Sequence, residues 1–119
     1  MAASLDDMII ERVTLFNLNE GIADADVEIL RQSFEPLKDA IPGVEYIRLE
    51  HQVDVNIPSG LRAKEAAYAM YTGFANAEAV DTFQKHAAHA KWRDEIWTRI
   101  RRDDFKVYHH MVKVQQNLW

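Results

Sequence analysis

Residues 83–90 read Phe-Gln-Lys-His-Ala-Ala-His-Ala and set His86 and His89 three positions apart on a segment with helical spacing. A second pair, His109-His110, falls in a stretch that reads as a strand. Imidazole changes charge closer to neutrality than any other side chain. In its neutral form it can take a proton from a hydroxyl or a carbon acid, and an ordinary pKa of ~6.5 suits a general base. Imidazoles near apolar faces point to a small-molecule pocket of modest chemical power. Arg12, on the first strand, adds a cation that can hold a carboxylate or stabilise an enolate or alkoxide. Phe16, Phe34, Phe83 and Trp92 can wall an apolar pocket for an aromatic or acyl-chain guest. Packed core is the alternative reading of those aromatics, a half-exposed helix flank that of His86, and simple structural pairing that of Arg12 and His109.

Other chemistries fit less well. His86, His89 and His109 offer three nitrogens, yet no Glu-x-x-His or His-x-x-x-His spacing supports zinc, so no metal is expected. No Gly-rich phosphate loop, nucleophile elbow or dinucleotide fingerprint appears, so no cofactor is expected. Arg99, Arg101, Arg102 and Lys106 are interleaved with Asp94, Glu95, Asp103 and Asp104, which reads as a solvated face of ion pairs. With a net charge of −5, nucleic acid is an unsuitable partner.

The positioning elements follow from periodicity. The 119 residues suffice for one domain, with 48% hydrophobic and 28% charged residues. There is no cysteine, so disulfide and thiolate chemistry are excluded and a reducing compartment is permitted. No basic-then-apolar leader and no apolar run of about 20 residues is present, which gives the expectation of a soluble, cytoplasmic protein without membrane contact. Residues 1–7 read as a loose tail. Met8 to Leu18 reads as a strand with Arg12, Thr14, Phe16 and Leu18 on one face. Asp24 or Asp26 can cap a helix carrying Val27, Leu30, Phe34, Leu37 and Ile41, with Pro36 kinking it or ending its regular part near Phe34. Pro42-Gly43 stops it. Val44 to Val53 and Ala67 to Phe74 read as strands around a polar loop, 54–64, long enough to cover a pocket mouth. Asn76 caps one long second helix with Val80, Phe83, Trp92, Ile96 and Ile100. Phe105 to Val114 is the last strand, and 115–119 extends beyond it.

The order β-α-β-β-α-β is that of an α+β, ferredoxin-like fold: a four-stranded antiparallel sheet with two helices on one face. The other face carries Ile9, Val13, Leu15, Tyr108, Val112 and Val114. Left open, it forms an apolar patch of roughly several hundred Å2, which monomers rarely tolerate. The expectation is a homodimer with two such sheets face to face, with Leu118 and Trp119 packing across the partner. A monomer with its tail folded over the sheet is the alternative.

Three blocks carry a family resemblance: Glu11-Arg-Val-Thr-Leu-Phe-Asn-Leu-Asn-Glu-Gly, the Ala40-Ile-Pro-Gly-Val bend, and His86-Ala-Ala-His. Over residues 8–114 the chain resembles the dimeric stress-responsive α/β-barrel (Dabb) family, with its His-Val-Leu-Phe-like first strand, Ile-Pro-Gly-Val bend and His-Pro-x-His helix. The resemblance implies a ferredoxin-like homodimer forming a dimeric α/β barrel. Members include plant stress oligomers, olivetolic acid cyclase (a polyketide cyclase of secondary metabolism) and a fern hydroxynitrile lyase. Related families hold muconolactone isomerases and cofactor-free monooxygenases, so fold alone does not choose a function. The resemblance places the cyclase's catalytic histidine on His89. The cyclase's tyrosine partner falls on Phe83, its strand-one histidine on Arg12, its helix-one tyrosine on Phe34 and its strand-four aspartate on His109; Ala87 replaces the proline. One catalytic position is kept and its partners are changed, which argues for a different reaction or substrate.

The resulting expectation is a cofactor-independent cyclase, lyase or isomerase acting on a small carbonyl-containing metabolite such as a polyketide or lactone. His89 is the base, His109 orients its second nitrogen, and Arg12 stabilises charge. Phe16, Phe34, Phe83, His86 and Trp92 contact the substrate. The alternatives are a noncatalytic stress-responsive homo-oligomer and a cofactor-free monooxygenase with Trp92 or Trp97 near its substrate.

Overall fold

The computed structural model describes residues 8–52 and 67–113. The tail 1–7, the whole loop 54–64 with its Pro58-Ser59-Gly60, the extension 115–119 and the ends of the second and last strands as read (Val53 and Val114) lie outside the described residues. The order is β1 (Met8–Phe16), α1 (Asp24–Gln32), α2 (Phe34–Ala40), β2 (Val44–His51), β3 (Tyr68–Phe74), α3 (Ala77–Lys85), α4 (Ala87–Trp92), a π-helical turn (Arg93–Trp97), α5 (Thr98–Ile100) and β4 (Lys106–Lys113).

The strands form one antiparallel sheet in the order β2-β3-β1-β4, the ferredoxin-like arrangement read from the sequence. The sheet is open and does not close into a barrel within the chain. β1 is central. Its register sets Arg12 opposite Thr72 on one side and His109 on the other. Alternation along β1 sends Thr14 and Phe16 into the core, where both are buried. Met70, Thr72 and Phe74 of β3 and Leu49 of β2 join them on the helix-facing side. The helices cover that side with Leu30, Phe34, Leu37, Phe83, Trp92, Trp97 and Ile100.

Both helical regions depart from the sequence reading. Neither Asp24 nor Asp26 is the first cap: Ala23 holds that position, and the Asp26 carboxylate accepts its N–H (Oδ2, 3.1 Å). The break near Phe34 falls where it was read: α1 ends at Gln32, Ser33 is the joint and α2 starts at Phe34. Pro36 thereby falls in the first turn of α2, where a backbone N–H has no helical partner to lose. The second region is not one long helix. Asn76 caps α3 as read, accepting the Ala79 N–H at 2.9 Å. The chain then goes extended at His86 (φ −73°, ψ 138°), whose Nδ1 accepts the Ala88 N–H at 3.0 Å and starts α4 afresh. The histidine is its own helix cap.

β4 also differs. Apolar side chains are exposed on both its faces: Val107 and Met111 on the helix side, Tyr108 on the other. The helices pack on β2 and β3 and leave this edge uncovered.

Candidate functional site

Beneath α4 and the π turn lies a cavity of ≈180 Å3. Its floor is Arg12 and Thr14 from β1 with Met70 and Thr72 from β3. Its roof is Phe83, His89, Trp92, Arg93 and Trp97. Phe105 and Val107, both partly exposed, form the rim. A dry apolar cavity of about 150 Å3 holds one benzene ring. This hollow therefore matches a single ring or a short acyl group.

His89 reaches the roof because the cap at His86 restarts the helix three residues ahead of it. The ring lies between Phe83 (centroids 4.3 Å) and Trp92 (5.9 Å), and Trp92 stacks in turn on Trp97 (5.7 Å). The Trp92 indole is fixed by its Nε1–H, which donates to Ser33 Oγ at 2.8 Å. Nδ1 of His89 is buried with no hydrogen-bond partner. Burial first, then the charges of Arg93 and Arg12, push the imidazole pKa down to about 4, against a weak opposing hydrogen bond to the Gln84 backbone. At neutral pH the ring is uncharged.

Arg12 bridges the sheet and the helix layer. Its Nε–H donates to His109 Nε2 at 2.9 Å and its Nη2–H to Gln84 Oε1 at 2.7 Å. The guanidinium also lies over the rings of Phe74 (5.3 Å) and Phe83 (5.6 Å). Desolvation pulls its pKa below the usual arginine value. No carboxylate among the described residues pairs with it. His109 accepts at Nε2, so that nitrogen is unprotonated. Its pKa is lowered by burial, then by Arg12 and by His110.

Of the residues singled out by sequence, Arg12, Phe83, His89 and Trp92 meet at the cavity, and His109 joins them through Arg12. His109 does not hydrogen-bond the buried nitrogen of His89: the strand histidine orients the arginine. Phe16 and Phe34 pack in the core, Phe16 against Tyr68 and Trp97. His86 is occupied as a helix cap. With His86 and His109 both engaged, the three imidazoles do not converge, and among the described residues no group of three or more His, Asp or Glu side chains is arranged to hold a metal.

Sequence reasoning missed Arg93, Thr14, Thr72, Phe105 and Val107 as cavity residues. Arg93 is four residues after His89, and Trp97 a further four, a spacing that puts all three along one helical face. Thr14 follows Arg12 by alternation, and Thr72 is the cross-strand partner of Arg12. Other hollows occur among the described residues, a small one of ≈60 Å3 beside Asp26 and Arg99 and two larger ones. One of ≈270 Å3 between helices has only Lys91 and Glu95 as titratable groups, and one of ≈290 Å3 lies beside His51 and Glu50.

Among the described residues no helix is long and apolar enough to cross a membrane. The family model described as the Stress responsive A/B Barrel Domain matches residues 10–108. No curated protein matches the chain. Among solved structures, a protein of Arabidopsis thaliana is similar at 18% identity, with a TM-score of 0.71 over 85% of this chain and 92% of that one. A protein of Thermobifida fusca, described as dimeric, ferredoxin-like and of unknown function, matches at 18% identity and TM-score 0.67, over 93% and 97%. The hydroxynitrile lyase of Passiflora edulis matches at 10% identity and TM-score 0.70, over 92% and 97%. These likenesses speak for the shared fold, and the match over residues 10–108 shows that the chain belongs to the stress-responsive A/B barrel domain family.

Proposed function

We propose that the chain is a cofactor-independent acid–base enzyme, a cyclase, lyase or isomerase, acting on a small carbonyl-containing metabolite such as a polyketide or lactone fragment. The observation that carries this reading is an uncharged imidazole, His89, sharing a partly open cavity with a half-buried guanidinium, Arg12. His89 takes a proton from a C–H or O–H of the guest. A base with a pKa of about 4 is weak. It suits a carbon acid whose conjugate base is stabilised elsewhere, and Arg12 stands where an enolate or alkoxide oxygen is met by charged donors. His109 keeps Arg12 in that orientation. Phe83, Trp92 and Trp97 exclude water. The fold shared with a hydroxynitrile lyase is compatible with carbonyl chemistry of this kind.

Homodimerisation through the open sheet face belongs to the same reading. Ile9, Val13, Leu15 and Val112 are only partly buried there and Tyr108 is exposed, and the similar Thermobifida fusca protein is described as dimeric.

A noncatalytic stress-type oligomer is the second reading. It is favoured by the cavity's size, below the ~300 Å3 at which ligand pockets usually begin, and by the snug stacking of His89 between two aromatic rings. The test is His89→Ala assayed against a panel of small β-dicarbonyls, lactones and cyanohydrins. The proposal requires turnover by the wild type and its loss in a variant of nearly unchanged Tm. Absence of turnover, with a variant that merely melts lower, hands the assignment to the second reading. Oxygen consumption with a phenolic substrate instead would identify a cofactor-free monooxygenase, with Trp92 and Trp97 at its wall.

A further inference from the structure

The cavity's charges are unbalanced. Arg12 and Arg93 both line it, and both act on His89 through their charge. Among the described residues no carboxylate lines it. Arg93 has Asp94 beside it (Nε–Oδ1 3.6 Å), but Arg12 spends its two described hydrogen bonds on the neutral acceptors His109 Nε2 and Gln84 Oε1. Of a guanidinium's five N–H donors, that leaves three without a partner among the described residues. A desolvated cation without a counter-ion is costly to keep, and a fold that keeps one at a cavity wall leaves a place for an anion. The rest of the lining joins the rings of Phe83, Trp92, Trp97 and Phe105 to two threonines, Met70 and Val107.

We infer that the guest is a small single-ring monocarboxylate, its carboxylate against Arg12 with Arg93 adding charge, its ring against Phe83, Trp92 and Trp97. The planar fork of Arg12 matches a carboxylate in two-point geometry. A volume of ≈180 Å3 admits one ring and its head group and rejects an extended chain. This deepens the reading above and rests on the cavity being a ligand site. It also supplies what that reading lacks. An anion between the guanidiniums cancels the two charges that help hold His89 deprotonated, so the base strengthens when the guest is seated.

The experiment titrates the whole chain with benzoate and, as neutral isosteres, benzamide and benzyl alcohol. Trp92 and Trp97 report through their fluorescence, and amide chemical shifts locate the site. The expected result is benzoate binding at least about tenfold tighter than benzamide, with shifts at Thr14, Thr72 and His89. Arg12→Gln removes the preference while leaving benzamide affinity in place. Arg93→Gln, which disturbs no sheet contact, reduces it partially and serves if Arg12→Gln does not fold. Benzamide binding as well as benzoate overturns the anion inference and leaves the cavity standing as a ligand site. Benzoate binding untouched by both substitutions overturns it too. If none of the three ligands binds, both the inference and the ligand-site reading fall.

Discussion

Across the β1–β4 pairing, Arg12 hands a hydrogen bond to His109: Nε to Nε2, 2.9 Å, between residues directly opposite in register. The bond needs a lone pair on Nε2, so a neutral strand histidine aims the cation at the cavity. His109 is thus a positioning residue. His109→Leu removes the acceptor and is expected to weaken benzoate binding by up to about tenfold, less than a charged hydrogen bond to the ligand itself would, because His109 acts through Arg12. His109→Gln keeps an acceptor and restores most of it. Equal losses in both variants, measured by fluorescence titration, sink the positioning role.

His86 and His89 have separate duties despite their spacing. His86→Ala removes the α4 cap and is expected to cost about 1 kcal/mol in urea unfolding, without changing ligand affinity at fixed fold. His86→Asn, a good capping residue, recovers that loss. A His86→Ala variant of unchanged stability that loses ligand binding would move this residue into the site.

Acid should unfold the protein partly through His89. The imidazole titrates near 6.5 when unfolded and near 4 in the fold, so between those values the unfolded chain binds a proton that the native one does not. Stability from the neutral ring is complete above pH ~6.5 and is lost as pH falls toward 4. For a half-exposed group, screening trims this to the order of 1–2 kcal/mol. Urea titrations of wild type and His89→Gln at pH 7.5 and 4 isolate the contribution, since the variant lacks it. Parallel pH profiles for the two proteins refute it.

The open face predicts self-association. Val13 sits between Tyr71 and Tyr108 in register, near the middle of the uncovered surface. Sedimentation velocity should show a dimer for the wild type and a folded monomer for Val13→Glu. A monomeric wild type removes the open face as an interface.

How far these residues could be read in advance varied by element. The strand order and the Arg12–His109 adjacency were legible, because alternation and the ferredoxin-like order fix both once β1 and β4 are placed. The break at His86 was not, because it depends on a side chain capping its own helix. A His-x-x-His spacing inside an apolar periodicity looks continuous. The cavity's edges were missed for a related reason. Phe16 and Phe34 share the composition of a pocket wall, and only tertiary packing separates them from Phe83 and Trp92. Arg93 was not singled out at all, because its neighbour Asp94, with which it pairs, reads as part of a solvated face of ion pairs.

Gly73 shows how tightly the open face is drawn. A Cβ there would stand 2.3 Å from Cε2 of Tyr46, so the bare backbone lets the phenol lie flat across β3. The phenol donates to the Glu11 carboxylate, and Arg48 stacks on Tyr71 at 4.4 Å. Burial first, then that hydrogen bond and the charge of Glu11, push the Tyr46 pKa up to about 12.

Among the described residues, the rim of the cavity is made by a strand hydrogen-bonded on one side. Val107 belongs to β4, which stands at the edge of the sheet and pairs with β1. Peeling those eight residues from a single neighbour widens the doorway while the stacked tryptophans above stay in place. Guest capture would then run at the pace of edge-strand fraying, and a backbone tether between β1 and β4 would slow both arrival and departure.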